Sequence, residues 1–499
     1  MRLIVIGAGI GGLTTAALLA KRGFDVTVLE AHVEPGGCAA TFFHKGYRFD
    51  VGATLVGGFQ PGGPHAIVGE KLGISWPIRA VDPAMTVHLG EQRIVRYGDG
   101  EAWRAERIRA FGDQAERFWR QQELAADAVW DFAARVPSWP IDSVRNALSL
   151  TTKVRPNLLP IAPLALTTVR RWANLMGARG QTLETFLDAQ LLIASQAIAS
   201  EANALYGAVA LDLYRRGVAH VEGGVAHVEG GVGGLAETLE NKVKANGGRV
   251  LYRQTVTAIR KGETYQIETN RGTFEADGVI ANLTPWALAK LLGDDAPAAL
   301  TKRVSNLKPI WSAFTVYLGV EAAAIDDAVV HHQIVVNMNK PLGEGNSAFV
   351  SISPEWDTRR APAGMRAVTI STHTRAADWY ALSHAEAAFD DRKQAYTQRL
   401  IEAASIALPK LKSHLKLIMP GTPLTFERFT HRVNGMVGGF PQRNLFTAWS
   451  PRIDRGVWLV GDSIFPGQST AAVSLGALRV AGEVERTYKS ARSRISTAG

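Results

Sequence analysis

Leu3-Ile4-Val5-Ile6-Gly7-Ala8-Gly9-Ile10-Gly11-Gly12, continued by residues 13–22, Gly23, Val26-Thr27-Val28-Leu29 and Glu30, is the stretch that decides the fold. Four apolar residues make a run short enough for a buried strand. Gly7-x-Gly9-x-x-Gly12 then turns the chain, residues 13–22 read as a helix that stops at Gly23, and Val26 to Leu29 supply a second strand. The physics of this β-α-β unit is specific. Gly7 permits a tight turn out of the strand, Gly9 lets backbone approach a pyrophosphate, and Gly12 lets helix and strand pack closely. The helix N-terminus offers amide donors and a positive dipole end to phosphates. Glu30, ending the second strand, can accept hydrogen bonds from a ribose, which selects a dinucleotide without a 2′-phosphate, NAD or FAD.

Hydropathy alone suggests something else, because residues 3–20 carry no charge between Arg2 and Lys21. Four glycines interrupt that run and no small-residue cleavage site follows it. The expectation is therefore strand and helix rather than a signal peptide or a membrane span. The chain of 499 residues has length for two or three domains, and 46% hydrophobic against 20% charged residues excludes general disorder. One cysteine, Cys38, excludes an internal disulfide and a cysteine-based zinc site, and fits a reducing compartment. Lys plus Arg number 55 against 46 Asp plus Glu, a net charge of +9 spread along the chain without the clustering of a nucleic-acid footprint. Diffuse positive charge also suits contact with an anionic membrane surface.

After Glu30 come Pro35-Gly36-Gly37-Cys38-Ala39-Ala40-Thr41 and Gly46-Tyr47-Arg48-Phe49-Asp50-Val51-Gly52-Ala53-Thr54. Here the chain resembles the two-domain FAD oxidoreductases of the amine oxidase and phytoene desaturase superfamily, in which a glycine doublet after the ribose-binding acid lets backbone run along the cofactor. Where many members carry arginine after the doublet this chain has Cys38, which leaves that position without a charged phosphate contact. A second signature is Gly456-Val457-Trp458-Leu459-Val460-Gly461-Asp462, followed by Pro466-Gly467-Gln468-Ser469-Thr470 and a helix-like stretch. An apolar strand there delivers Asp462, whose carboxylate can bind ribityl hydroxyls, and the following helix N-terminus can stabilise negative charge on a reduced flavin. A third piece runs from Gly230-Gly231-Val232-Gly233-Gly234 through a helix to Val256-Thr257-Ala258-Ile259, then an alternating hairpin over residues 264–276 and a buried strand over residues 279–282.

Within the superfamily the chain is most similar to the carotenoid desaturases and isomerases, in the carotenoid 3,4-desaturase (C-3′,4′ desaturase) branch. Residues 36–42, 49–54 with 57–65, Asn434-Gly435-Met436-Val437-Gly438-Gly439-Phe440, and Gly461-Asp462-Ser463-Ile464-Phe465-Pro466-Gly467-Gln468 carry this similarity. The resemblance implies FAD held by Gly7, Gly9, Gly12, Glu30, Gly36, Gly37, Thr54, Val256, Gly461, Asp462 and Val473. It implies an α/β fold with a Rossmann-like dinucleotide-binding domain built from residues 1–80, 215–295 and 435–499. A mixed-sheet substrate domain is expected from residues 81–113 and 296–434, and a helical, membrane-facing lid from residues 114–214. The expected reaction desaturates a carotenoid: a hydride passes from an allylic carbon to flavin N5 and a proton leaves the neighbouring carbon. The alternatives are a redox-neutral cis/trans carotenoid isomerase using reduced FAD, an amine oxidase, and a non-catalytic flavoprotein. The expected partners are a hydrophobic carotenoid and a membrane surface, with the enzyme peripheral on the cytoplasmic side and no nucleic acid. The terminal electron acceptor stays open. No catalytic side chain and no metal site is assigned.

Three further features carry expectations of their own. Residues 217–223 recur as 224–230, a repeat expected to lengthen a surface loop. His331-His332 is expected to be solvated. Residues 155–166, with three prolines, lead into Arg170, Arg171 and Trp172, and suit either an interfacial segment or an internal lid.

Overall fold

The computed structural model describes residues 1–52, 54–135, 139–140, 148, 153, 155–215, 225–306, 311–326 and 329–496. β1 (Arg2–Ile6), α1 (Ile10–Lys21) and β2 (Asp25–Leu29) form the expected β-α-β unit. They belong to a six-stranded sheet ordered Arg452–Asp454, Val457–Leu459, Gly278–Ala281, β1, β2, Arg249–Leu251. All neighbours are parallel except the edge strand Arg452–Asp454. Strands of such a sheet are covered on both faces, so they read as unbroken apolar runs: Leu3 to Ile6 and Val279 to Ala281 are all buried. α1 is buried on nearly every side, and its Gly, Ala and Thr residues admit the last helix, Thr470–Ser496, and the helix Gly233–Ala245 against it.

A second, seven-stranded sheet runs Leu415–Gly421, Ser312–Glu321, Met365–Thr374, Ser347–Ile352, His331–Val335, Met85–Leu89, Gln92–Arg96. Its strands alternate. Phe314, Val316, Leu318 and Val320 pack with Trp379, Tyr396 and Leu400 beside the helix Glu386–Ala404, while Ala313, Thr315 and Tyr317 face a central cavity. A helical layer including Glu116–Arg135, Gln181–Ser195 and Ala204–Leu211 packs around Trp103, Phe118, Trp119, Trp172 and Phe186. Among the described residues no helix is long and apolar enough to cross a membrane.

Two sequence expectations need correction. The second copy of the repeat is no surface loop: Val225–Val228 is a fully buried strand paired with Ile78–Val81, and His227 bonds Asp357 at 2.8 Å. Its apolar Val-Ala-x-Val pattern finds a partner strand, which a local reading misses. The first copy, with Gly224, lies outside the described residues, as do Ala53 and parts of the 114–214 region. His331 and His332 are 3% and 1% exposed in a central strand, because cross-strand partners rather than water satisfy them. In the segment whose sequence suits either an interfacial or an internal role, Trp172 is buried and Arg170 turns inward to Asp188 at 2.7 Å and to Glu184, so only Arg171 of that trio faces solvent.

Candidate functional site

One cavity of about 1230 Å³ joins the two sheets. At one end it is lined by backbone of Gly7, Gly9, Gly11, Gly36, Gly37 and Gly461. α1 has Gly9 as its N-cap, with no capping side chain and no acid in its first turn, so its amides and positive dipole end are left for an anion. Helix and strand approach closely here, since a Cβ on Gly12 would lie 2.2 Å from the Gly7 carbonyl oxygen. The doublet turn is fixed to this loop: the Gly36 amide donates to the Ala8 carbonyl at 2.8 Å, and Gly36 sits at φ +115°.

Glu30 directly follows β2 at the cavity wall, where its carboxylate accepts from the Ala8 amide at 2.6 Å and the His32 amide at 2.8 Å. Val256 and Gln254 line the wall beyond it. Gly461, Asp462 and Val473 come from the strand Val457–Leu459 and the start of the last helix, and all three line the same end. Thr54 stands on the lining too, accepting from Ser351 Oγ at 2.7 Å, with His331 Nδ1 3.0 Å further along. The cavity thus receives lining from Gly7, Gly9, Glu30, Gly36, Gly37, Thr54, Val256, Gly461, Asp462 and Val473, while Gly12 sits behind it in the helix-strand contact.

Several site residues escaped sequence reading. Asn282, next after the strand Gly278–Ala281, reaches the Gly7 carbonyl at 3.4 Å and would meet a Cβ on Gly9 at 2.5 Å. It was legible only as a strand end. Ser469 lies within the signature read from sequence, which does not show its geometry: at φ +92° it accepts from the Ala472 amide at the start of the last helix, a strained position of the kind that persists at binding sites. Arg432 pairs with Asp462 at 3.0 Å. No local pattern joins residues so far apart. Packing pushes the Cys38 thiol pKa up, against the opposing pull of the Arg432 guanidinium beside it.

The other end of the cavity is apolar: Val129, Ala133, Ala189, Leu192, Val209 and Ala210 are among its wall residues. Among the described residues the acids on the lining are Glu30, Glu34, Glu427 and Asp462, and Glu427 belongs to the helix Pro423–Thr430, whose Phe429 ring meets that of His32. Among the described residues no group of three or more His, Cys, Asp or Glu is arranged to hold a metal.

Burial drives His331 down to about 3, with the charges of His227 and His332 adding to it, and drives His373, on the cavity wall, to about 4 and His65 to about 3. Unfolding restores an ordinary histidine value near 6.5, so the unfolded chain binds protons below that pH while the folded one does not. The contribution is complete above pH 6.5 and erodes as pH falls toward the depressed values. Each histidine adds up to about 1.4 kcal/mol per pH unit to that slope. Chemical unfolding between pH 7.5 and 5 is expected to show the decline, and His331→Gln to flatten it. A stability that stays level between pH 6.5 and 5 would contradict this reading.

These features define a flavoprotein oxidoreductase whose dinucleotide cradle opens into an apolar chamber. The chain belongs to the flavin containing amine oxidoreductase family, which it matches over residues 10–400. FAD is its cofactor, and the uncapped helix end, the glycine walls and the acid at the end of β2 fit that group. The chain is similar to prolycopene isomerase 2, chloroplastic, of an Oncidium hybrid cultivar, 28% identical over 96% of this chain and 83% of that one. It is also similar to the zeta-carotene-forming phytoene desaturase of Myxococcus xanthus, 26% identical over 74% and 71%. An oxidoreductase structure from Methanosarcina mazei shares the fold, with a TM-score of 0.64 and 19% identity over 96% of this chain and 99% of that one.

Proposed function

We propose that this enzyme desaturates a carotenoid, in the manner of the 3,4-desaturase branch that its motifs resemble. The carrying observation is the continuity of the nucleotide cradle with an apolar limb on whose wall, among the described residues, Val129, Ala133, Ala189, Leu192, Val209 and Ala210 stand and no acidic side chain does. An ammonium substrate would find no counter-ion there, whereas a hydrocarbon chain loses nothing by entering. Bound FAD supplies the hydride acceptor. The chain's own residues align one carbon pair and exclude water: Leu192, Val209 and Ala210 form the dry wall, and Thr54, held by Ser351, lines the same cavity. The polyene delocalises developing charge, so the proton leaves the neighbouring carbon without a strong base.

A second reading is redox-neutral cis/trans isomerisation of a carotenoid. The likeness to prolycopene isomerases over nearly the whole chain favours it. The two readings share substrate class and cavity and differ in product mass.

Carotenoids dissolve in bilayers, and we place the entrance at a peripheral membrane contact on the cytoplasmic side. Leu159, Leu166 and Leu175 are 69%, 83% and 67% exposed, beside exposed Arg155 and Arg171. This segment is strapped to the cavity wall, because Asn203 Nδ2 donates to the Ala165 carbonyl at 2.8 Å at the start of the helix Ala204–Leu211.

Ala210→Phe fills the apolar limb without touching the nucleotide end. Flavin content should stay at wild-type level while polyene turnover falls at least about tenfold, since misplacing the reacting carbon by an ångström is that costly. Undiminished turnover with full flavin loading would place the substrate elsewhere.

A further inference from the structure

We propose that Arg432 is the cation this chain sets against the pyrophosphate of FAD, supplied from a distant segment where the doublet turn itself offers only a neutral cysteine. Cys38 directly follows Gly36-Gly37, and that turn is bound to the glycine loop through the Gly36 amide and the Ala8 carbonyl. A Cβ on Gly37 would stand 3.8 Å from the Gly9 Cα, so Cys38 flanks the amides at the start of α1 where a pyrophosphate sits. Arg432 and Cys38 line the same cavity, and the guanidinium charge acts on the Cys38 thiol. It is clamped from behind: Nε donates to the Met436 carbonyl at 2.9 Å and Nη2 to the Gly438 carbonyl at 2.5 Å, while Nη2 lies 3.0 Å from Asp462 Oδ2. The side chains of Arg432 and Asp462 are only 14% and 18% exposed, and both line the cavity.

The charge balance explains why a guanidinium is needed there. Asp462 brings a carboxylate to the same cavity end that must accept a pyrophosphate, and like charges in a poorly solvated pocket repel. A fixed guanidinium between them offsets that repulsion and presents donors in a geometry suited to phosphate oxygens. Among the described residues the other lysine or arginine on the lining, Lys290, is an exposed residue of the helix Pro285–Leu292. The inference rests on the flavin alone and holds whichever carotenoid reaction the enzyme performs.

The test is the affinity of the full-length, flavin-stripped protein for FAD and for ADP, which shares the pyrophosphate and lacks the flavin. Arg432→Gln is expected to weaken both by a similar factor of at least about ten, and Arg432→Lys to weaken both by less. Adding Cys38→Arg to Arg432→Gln returns a guanidinium from the doublet side and is expected to restore most of the affinity for both, which a purely structural loss would not allow. If Arg432→Gln does not fold, the lysine variant and the double variant report the same two affinities. FAD weakened with ADP unchanged would assign Arg432 to the flavin end and overturn the proposal. So would unchanged binding of both, or a folded double variant with no recovery.

Discussion

Gly12→Ala is expected to yield a protein that retains its secondary structure but purifies without flavin, with FAD affinity reduced at least about a hundredfold. The reason is local and severe. The added methyl would stand 2.2 Å from the Gly7 carbonyl oxygen, 3.1 Å from Asn282 Cβ and 3.3 Å from Val5 Cγ1. All three neighbours belong to strands of the central sheet or directly follow them, so α1 must move away from β1 as a body. The amides at its N-terminus then leave the position they share with Gly9 and Gly36. Overpacking of this kind usually costs about 1–3 kcal/mol in stability, but here the displaced atoms are the anion site itself. The check is the flavin-to-protein absorbance ratio with circular dichroism on the same sample. A Gly12→Ala protein that keeps one FAD per chain would show that α1 does not need to touch β1 this closely.

Asp50→Ala is expected to destabilise the fold by about 3–5 kcal/mol, because it leaves a buried guanidinium without its partner. Asp50 Oδ2 lies 2.9 Å from Arg360 Nη1, and the two side chains are 5% and 6% exposed. The other oxygen accepts from Thr41 Oγ at 2.6 Å and from the Val232 amide at 2.9 Å, at the entry to the helix Gly233–Ala245. One carboxylate therefore ties together the hairpin that follows the glycine doublet, that helix, and the loop beyond the strand Ser347–Ile352. Urea unfolding of Asp50→Ala and of Asp50→Ala with Arg360→Met distinguishes charge burial from lost packing: the second substitution should recover part of the loss. A single variant within about 1 kcal/mol of wild type would mean that water reaches Arg360.

The nucleotide half was legible because each of its parts is a local pattern with a physical cause. A four-residue apolar run, a spaced glycine loop and an acid after a second strand specify β1, α1, β2 and Glu30 without reference to the rest of the chain. The same holds for the strand that delivers Gly461-Asp462. What escaped reading depends on contacts between distant residues. His331-His332 reads as polar when taken alone, yet pairing with Ser351 and Val350 buries it in a sheet. Val225–Val228 is too short to declare itself without its partner Ile78–Val81. Arg432 carries no signal of its role until the loop after the helix Pro423–Thr430 brings it to Asp462 and Cys38.

Whether this flavoenzyme removes two hydrogens from a carotenoid held in the apolar limb, as proposed, is tested most directly by product mass. FAD-loaded protein is incubated anaerobically with liposomes carrying acyclic carotenoids, and the pigment is then extracted for absorption and mass spectra. Desaturation gives a product lighter by about two mass units for each bond formed, a red-shifted polyene spectrum and a bleached flavin. An unchanged mass with altered cis/trans composition would contradict it and establish the isomerase.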